Sequence, residues 1–163
     1  MLFRSLGVTK PAIYQYFRSK EDLFASVAEY GRQELAGILT HSFEDGDLLK
    51  GSGVLFDSLL EFVHRSMEIY NDIMLVAARN ESVRTILKED RVAELRVIQQ
   101  FIEEQKKKGL IHPSIDANTL AGACDALING LLFNVMVGMD PAEAKRIWLA
   151  AVEDLLRLRG RQT

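Results

Sequence analysis

The run Thr9 to Lys20, TKPAIYQYFRSK, gathers side-chain types that hold a polyanion, and its spacing says where they point. Thr9 is a helix N-cap residue, and Pro11 falls in the first turn, where its missing N–H costs nothing. The helix this predicts spans Lys10 to Phe17. Ile13 and Phe17 lie four apart on its apolar face, and Lys10, Ala12, Gln15 and Tyr16 take the other side or its flanks. Lys and Gln reach base edges in a major groove, while Thr, Tyr and Lys hold phosphates. Gly7 supplies a turn after the short Leu2 to Leu6 segment, so the whole has the sequence form of a helix-turn-helix.

A rival chemistry sits at Glu61-Phe-Val-His64, a Glu-x-x-His pair at i, i+3 with Glu68 one turn on, as a di-iron helical bundle would use. Such a site needs a second Glu-x-x-His, and the sequence has none. His41 and His112 stand at a helix end and in a turn without ligands at useful spacing, so no metal and no cofactor is expected. No nucleophile triad and no Gly-rich phosphate loop is recognisable, which argues against a helical-bundle enzyme. The single Cys124 excludes an intramolecular disulfide and reads as a small buried hydrophobe in a reducing cytoplasm.

These residues need a scaffold, and composition says it is all-α. Among 163 residues there are three prolines and eleven glycines, with long stretches of Ala, Leu, Glu, Lys and Arg that favour helix. Residues 1–20 carry Arg4, Lys10, Arg18 and Lys20 and no acid, a net +4, against an overall −3. A basic head on an acidic body follows. The apolar start MLFRSLGV is too short for a signal peptide, and the longest apolar stretch, Leu120 to Met139, is interrupted by Asp125, Asn129 and Asn134. A buried helix, no membrane span and a cytoplasmic location are therefore expected.

Ser19, with Asp22 three residues on, caps a helix expected from Lys20 to Phe43, a strut of roughly 35 Å. Glu44 to Gly53 reads as a loop, Val54 to Tyr70 as a core helix and Asn71-Asp72 as a break. A new helical stretch begins at Ile73, and RNESVRTILKED after it reads as partly irregular. Arg91 to Lys108 is helical and closes on Gly109, its lysines complementing the helix dipole. Ser114 or Asp116 caps Ala117 to Gly138, which is apolar on nearly every side, and Asp140-Pro141 starts the last helix. Two long apolar helices at the C-terminus carry more surface than one small body covers, which points to a homodimer through a four-helix bundle. Its expected interface is Leu120, Ala123, Leu127, Leu131, Trp148, Val152 and Leu155.

The segment GVTKPAIYQYFRSKEDLF resembles the signature of the tetracycline-repressor (TetR) family of transcriptional regulators. The resemblance implies phosphate contacts from Thr9, Tyr14, Tyr16 and Lys20 and base contacts from Lys10, Pro11, Ala12 and Gln15, on a double-stranded operator. It further implies a repressor whose body binds a small-molecule effector and swings the strut to release DNA. Family members carry a full first helix before this point, whereas Met1 to Leu6 alone precede Gly7. The chain is thus expected to hold a partial head over 1–24 and a ligand-binding and dimerisation body over 25–163, with Ile13, Phe17 and Phe24 losing a packing partner and DNA binding weakened. The alternative is a ligand-binding dimerisation module without DNA binding.

An effector cavity between body helices would be apolar with a few polar groups. The expected walls are Phe56, Leu60, Val63, Met67, Met74, Ile98, Phe101 and Phe133, with His64, Asn129 and Asn134 as polar contacts. Such walls suit a hydrophobic or aromatic ligand.

Overall fold

The computed structural model describes residues 17–157, which form five α-helices: α1 (Lys20–Ser42), α2 (Leu48–Ala77), α3 (Glu81–Lys107), α4 (Ala117–Met136) and α5 (Pro141–Arg157). Each helix start whose capping is seen rests on a short polar side chain. Ser19 Oγ accepts from Asp22 N at 3.1 Å while Asp22 Oδ2 accepts from Arg18 N at 3.0 Å, so the start of α1 is reciprocally capped. Asp47 Oδ1 accepts from Leu49 N and Lys50 N, Asn80 Oδ1 from Val83 N, Asp116 Oδ1 from Thr119 N and Asp140 Oδ1 from Ala142 N. Gly109, at φ +74°, turns the chain after α3, and Leu110 N returns to Gln105 O at 3.0 Å.

Three sequence expectations change here. Residues 48–53 belong to α2 and not to a loop. The Asp47 cap starts the helix early, and Gly51 is needed there because a Cβ would run into the Phe43 ring and come 2.7 Å from Ser42 O. Asn71 and Asp72 do not break α2. Their unfavourable helix propensity is a fraction of a kcal/mol each, and Ile73 and Ala77 are buried on the inner face of the same turns, with Ile69 and Val76 packed beside them. The polar stretch after Asn80 is regular helix, held by the fully buried Val83 with Ile86 and Leu87 beside it, and Arg84 Nη1 donates to Ala77 O at 3.1 Å across the turn.

The chain divides into two compact units, one from its start to Leu35 with Phe62–Glu94, the other from Ala36–Glu61 with Leu95 onward. α1, α2 and α3 each give one segment to each unit. The first unit is centred on Leu23, Phe24, Ile73, Ala77 and Val83. In the second, Ile102, Ile111, Ile115, Ala117, Leu120 and Ala121 form a core, and α4 packs against α5. The fully buried Phe56 belongs to this unit, where Trp148 Nε1 donates to Ser52 O at 2.8 Å and Lys145 pairs with Asp57 at 2.5 Å.

Candidate functional site

Thr9, Lys10, Pro11, Ala12, Tyr14, Gln15 and Tyr16 lie outside the described residues, as does Ile13, and Lys20 is the first residue of α1. What the structure gives is the mount that follows them. Phe17 packs against the first unit's core, in which Leu23 and Phe24 are 5% and 3% exposed beside Ile73, Ala77 and Val83. Phe24 is thus covered within the described residues, and Phe17 is partly buried. The end of α2 and the start of α3 supply that cover, a contact between segments some fifty residues apart that no local pattern announces.

Farther along α1, Arg32 forms ion pairs with Asp90 of α3 and with Glu29 of its own helix. The two partners across the helices are 24% and 13% exposed, so this is no ordinary surface pair. Burial opposes the Arg32 charge, but the hydrogen bond and attraction from Asp90, then Glu29, outweigh it and raise the guanidinium above its ordinary value. Glu94 lies one turn beyond Asp90. Burial first, and the Asp90 charge second, push its carboxyl up, against the pull of Arg91 at 3.3 Å and of Arg32. Sequence reading missed this cluster, because its members lie 58 residues apart and carry no motif.

The expected effector walls separate. Val63, His64, Met67 and Met74 belong to the first unit, with His64 and Met74 exposed. Phe56, Leu60, Ile98, Phe101, Asn129, Phe133 and Asn134 belong to the second. There Ile98 and Phe101 pack against the core, and the Phe101 ring lies 4.7 Å from that of Phe43. Phe133, Asn129 and Asn134 fall on the open side of α4, with Asn129 Nδ2 donating to Asp125 Oδ1 at 3.0 Å. These three line no enclosed wall. Glu61 and His64 are both exposed, and no group of three or more potential metal ligands gathers among the described residues. Cys124 packs beside the second unit's core, and burial pushes its thiol up to about 11.

The expected dimer residues divide likewise. Leu120, Leu131, Trp148 and Val152 are buried in the chain's own core, Leu127 and Leu155 are half-buried, and Ala123 is exposed. Within the single chain α4 is covered on one side only. Ala123, Ala126, Gly130, Phe133 and Val137 follow the three-four spacing of one helix face, and all are exposed, Phe133 to 59% and Val137 to 68%. Alternate faces of α4 thus have different fates. By length and composition α4 could also cross a membrane, yet Leu120, Ile128, Leu131 and Leu132 of its other face are core residues.

Comparison with known proteins bears on the head and on the fold. Residues 1–27 match the model of bacterial regulatory proteins of the tetR family. The likeness to this family's model covers the head of the chain alone. The chain's fold is similar to that of solved transcriptional regulators. A TetR-family transcriptional regulator from Rhodococcus sp. superimposes with a TM-score of 0.74 at 19% identity, over 92% of this chain and 82% of that one. PfmR, a TetR-family regulator from Thermus thermophilus, gives 0.54 at 17% identity, over 93% and 83%. A transcriptional regulator from Rhodococcus sp. RHA1 gives 0.59 at 18%, again over 93% and 83%. No curated protein matches the sequence.

Proposed function

We propose that this protein is a TetR-family homodimeric repressor that binds a double-stranded operator through residues 1–24 and is released from it when a small hydrophobic ligand binds the body, residues 25–163. The observation that carries this reading is the match of residues 1–27 to the family's DNA-binding signature, which includes every proposed DNA contact from Thr9 to Lys20. In this reading Lys10, Pro11, Ala12 and Gln15 face bases and Thr9, Tyr14, Tyr16 and Lys20 hold phosphates. Two heads then engage successive half-sites through dimer symmetry. Supporting the dimer is the exposed α4 face, where small Ala123, Ala126 and Gly130 allow a second helix to approach and Phe133 and Val137 supply apolar area. Ile98 and Phe101, beside Phe43, are the apolar groups around which we place the effector.

The test is selection of duplexes from a random DNA pool by the purified full chain, followed by affinity measurement at two salt concentrations. Gln15→Ala is expected to relax sequence preference at one position, costing ~1–3 kcal/mol there, whereas Lys20→Ala lowers affinity for all duplexes and flattens the salt dependence. Recovery of no preferred duplex by a dimeric protein would overturn the repressor reading in favour of a ligand-binding module.

A further inference from the structure

We propose that two copies of this chain pair α5 against α5 in an antiparallel register about Ala150, with Arg146 of each copy held by Asp154 of the other. The outward side of α5 carries the argument. Glu143, Arg146, Ala150 and Asp154 follow three-four spacing along one side of this helix and all are exposed, while Ala144, Trp148 and Val152 on the other side are buried in the chain's own core. Neither Arg146 nor Asp154 makes an ion pair among the described residues, and about 12 Å of helix separates them. Each stands four residues from Ala150, Arg146 before it and Asp154 after it. A two-fold axis at Ala150 therefore sets opposite charges against each other twice, and the small side chain on the axis lets the helices approach.

Other registers fail on charge or on overlap. An axis at Arg146 or at Asp154 sets like charges face to face, and one midway between Glu143 and Asp154 opposes two acids. Glu143 against Arg146 is attractive, but that axis lies near the start of α5 and leaves the helix beyond Trp148 unpaired. Ala150 stands next to the midpoint of the 17-residue helix, so its register overlays nearly the whole length. The open face of α4 agrees. Gly130 weakens helix relative to alanine although a Cβ there would meet nothing within 4 Å in its own chain, and antiparallel pairing about it sets Val137 against Ala123, large on small. α4 and α5 pack on each other across the short turn at Gly138, and Gly130 and Ala150 stand within about one helical turn of the same height, so one axis serves both faces. The register rests on the homodimer reading; it adds the charge pattern that selects a second copy of this chain and fixes how it sits.

Disulfide trapping in the full chain tests it, with Cys124→Ala as the background so that each introduced thiol is the only one. Ala150→Cys is expected to give a covalent dimer on air oxidation, because two residues on the axis face each other. Glu143→Cys should give none, since its two copies then stand about 21 Å apart along the helices. Arg146→Glu should raise the dimer Kd about tenfold or more in sedimentation at low salt, and Arg146→Glu combined with Asp154→Arg should return it to within about threefold of the wild type. High salt should narrow the gap between the wild type and Arg146→Glu. Circular dichroism shows that helix content is kept, and recovery by the double reversal requires the pair itself. A dimeric wild type whose Ala150→Cys variant yields no covalent dimer, or whose Arg146→Glu variant dimerises as tightly as before, overturns the register and leaves the homodimer reading standing. Trapping through Glu143→Cys would do the same, and a monomeric wild type overturns both.

Discussion

Replacing Phe133 by alanine is expected to break the proposed dimer while leaving the fold of each protomer unchanged. The side chain is 59% exposed on the open face of α4, and a phenylalanine offers roughly 200 Å², so about 120 Å² stands ready for burial. A two-fold interface counts every residue twice, which brings the area to about 240 Å² for the pair. Alanine gives up roughly two-thirds of it, and at ~25 cal/mol per Å² the loss is about 4 kcal/mol, or on the order of a thousandfold in dimer Kd. The figure is an upper value, because it takes the whole ring as covered. Sedimentation equilibrium or light scattering over a dilution series measures the change, with circular dichroism to show that helix content is kept. Leu75→Ala serves as the control: its side chain is 66% exposed, on α2 in the other compact unit, and the variant should dimerise as the wild type does. A Phe133→Ala dimer with Kd within about threefold of wild type would refute the assignment of this face, since even one-quarter burial predicts more.

Two further outcomes follow from buried polar groups. Trp148→Phe removes the indole N–H that donates to Ser52 O and leaves that carbonyl buried without this donor, so unfolding by urea should show a loss of ~1–3 kcal/mol; an unchanged midpoint would mean that water replaces the donor freely. Glu94 has a folded-state carboxyl raised above its ordinary 4.5 by burial and by Asp90, so the folded protein holds this proton more tightly than the unfolded chain. Wild-type stability from this group is therefore greatest below 4.5 and falls as pH rises through the folded value. The stability of Glu94→Gln relative to wild type should accordingly improve as pH is raised from 4.5, and a relative stability independent of pH in chemical denaturation would contradict the assignment.

The sequence by itself determined the all-α class, the resemblance of the head to a known signature and most helix starts. These are local matters: a cap at Ser19, Asp116 or Asp140 is satisfied by a backbone N–H two or three residues away, and the DNA-binding signature is contiguous. It misplaced the start of α2 and broke α2 and α3 where none breaks, because propensity at Asn71, Asp72 or residues 81–90 is weak beside the burial of Ile73, Ala77 and Val83. Which apolar residues are core and which are surface was decided by tertiary structure alone. Periodicity marks α4 as apolar all round, but only packing on α5 and on the loop carrying Ile111 and Ile115 tells Leu131 from Phe133. The Arg32–Asp90 pair has the same origin. Two residues 58 positions apart become neighbours only after α1 and α3 have packed, and the hydrogen bond and charge of Asp90 then hold Arg32 charged against the cost of burial.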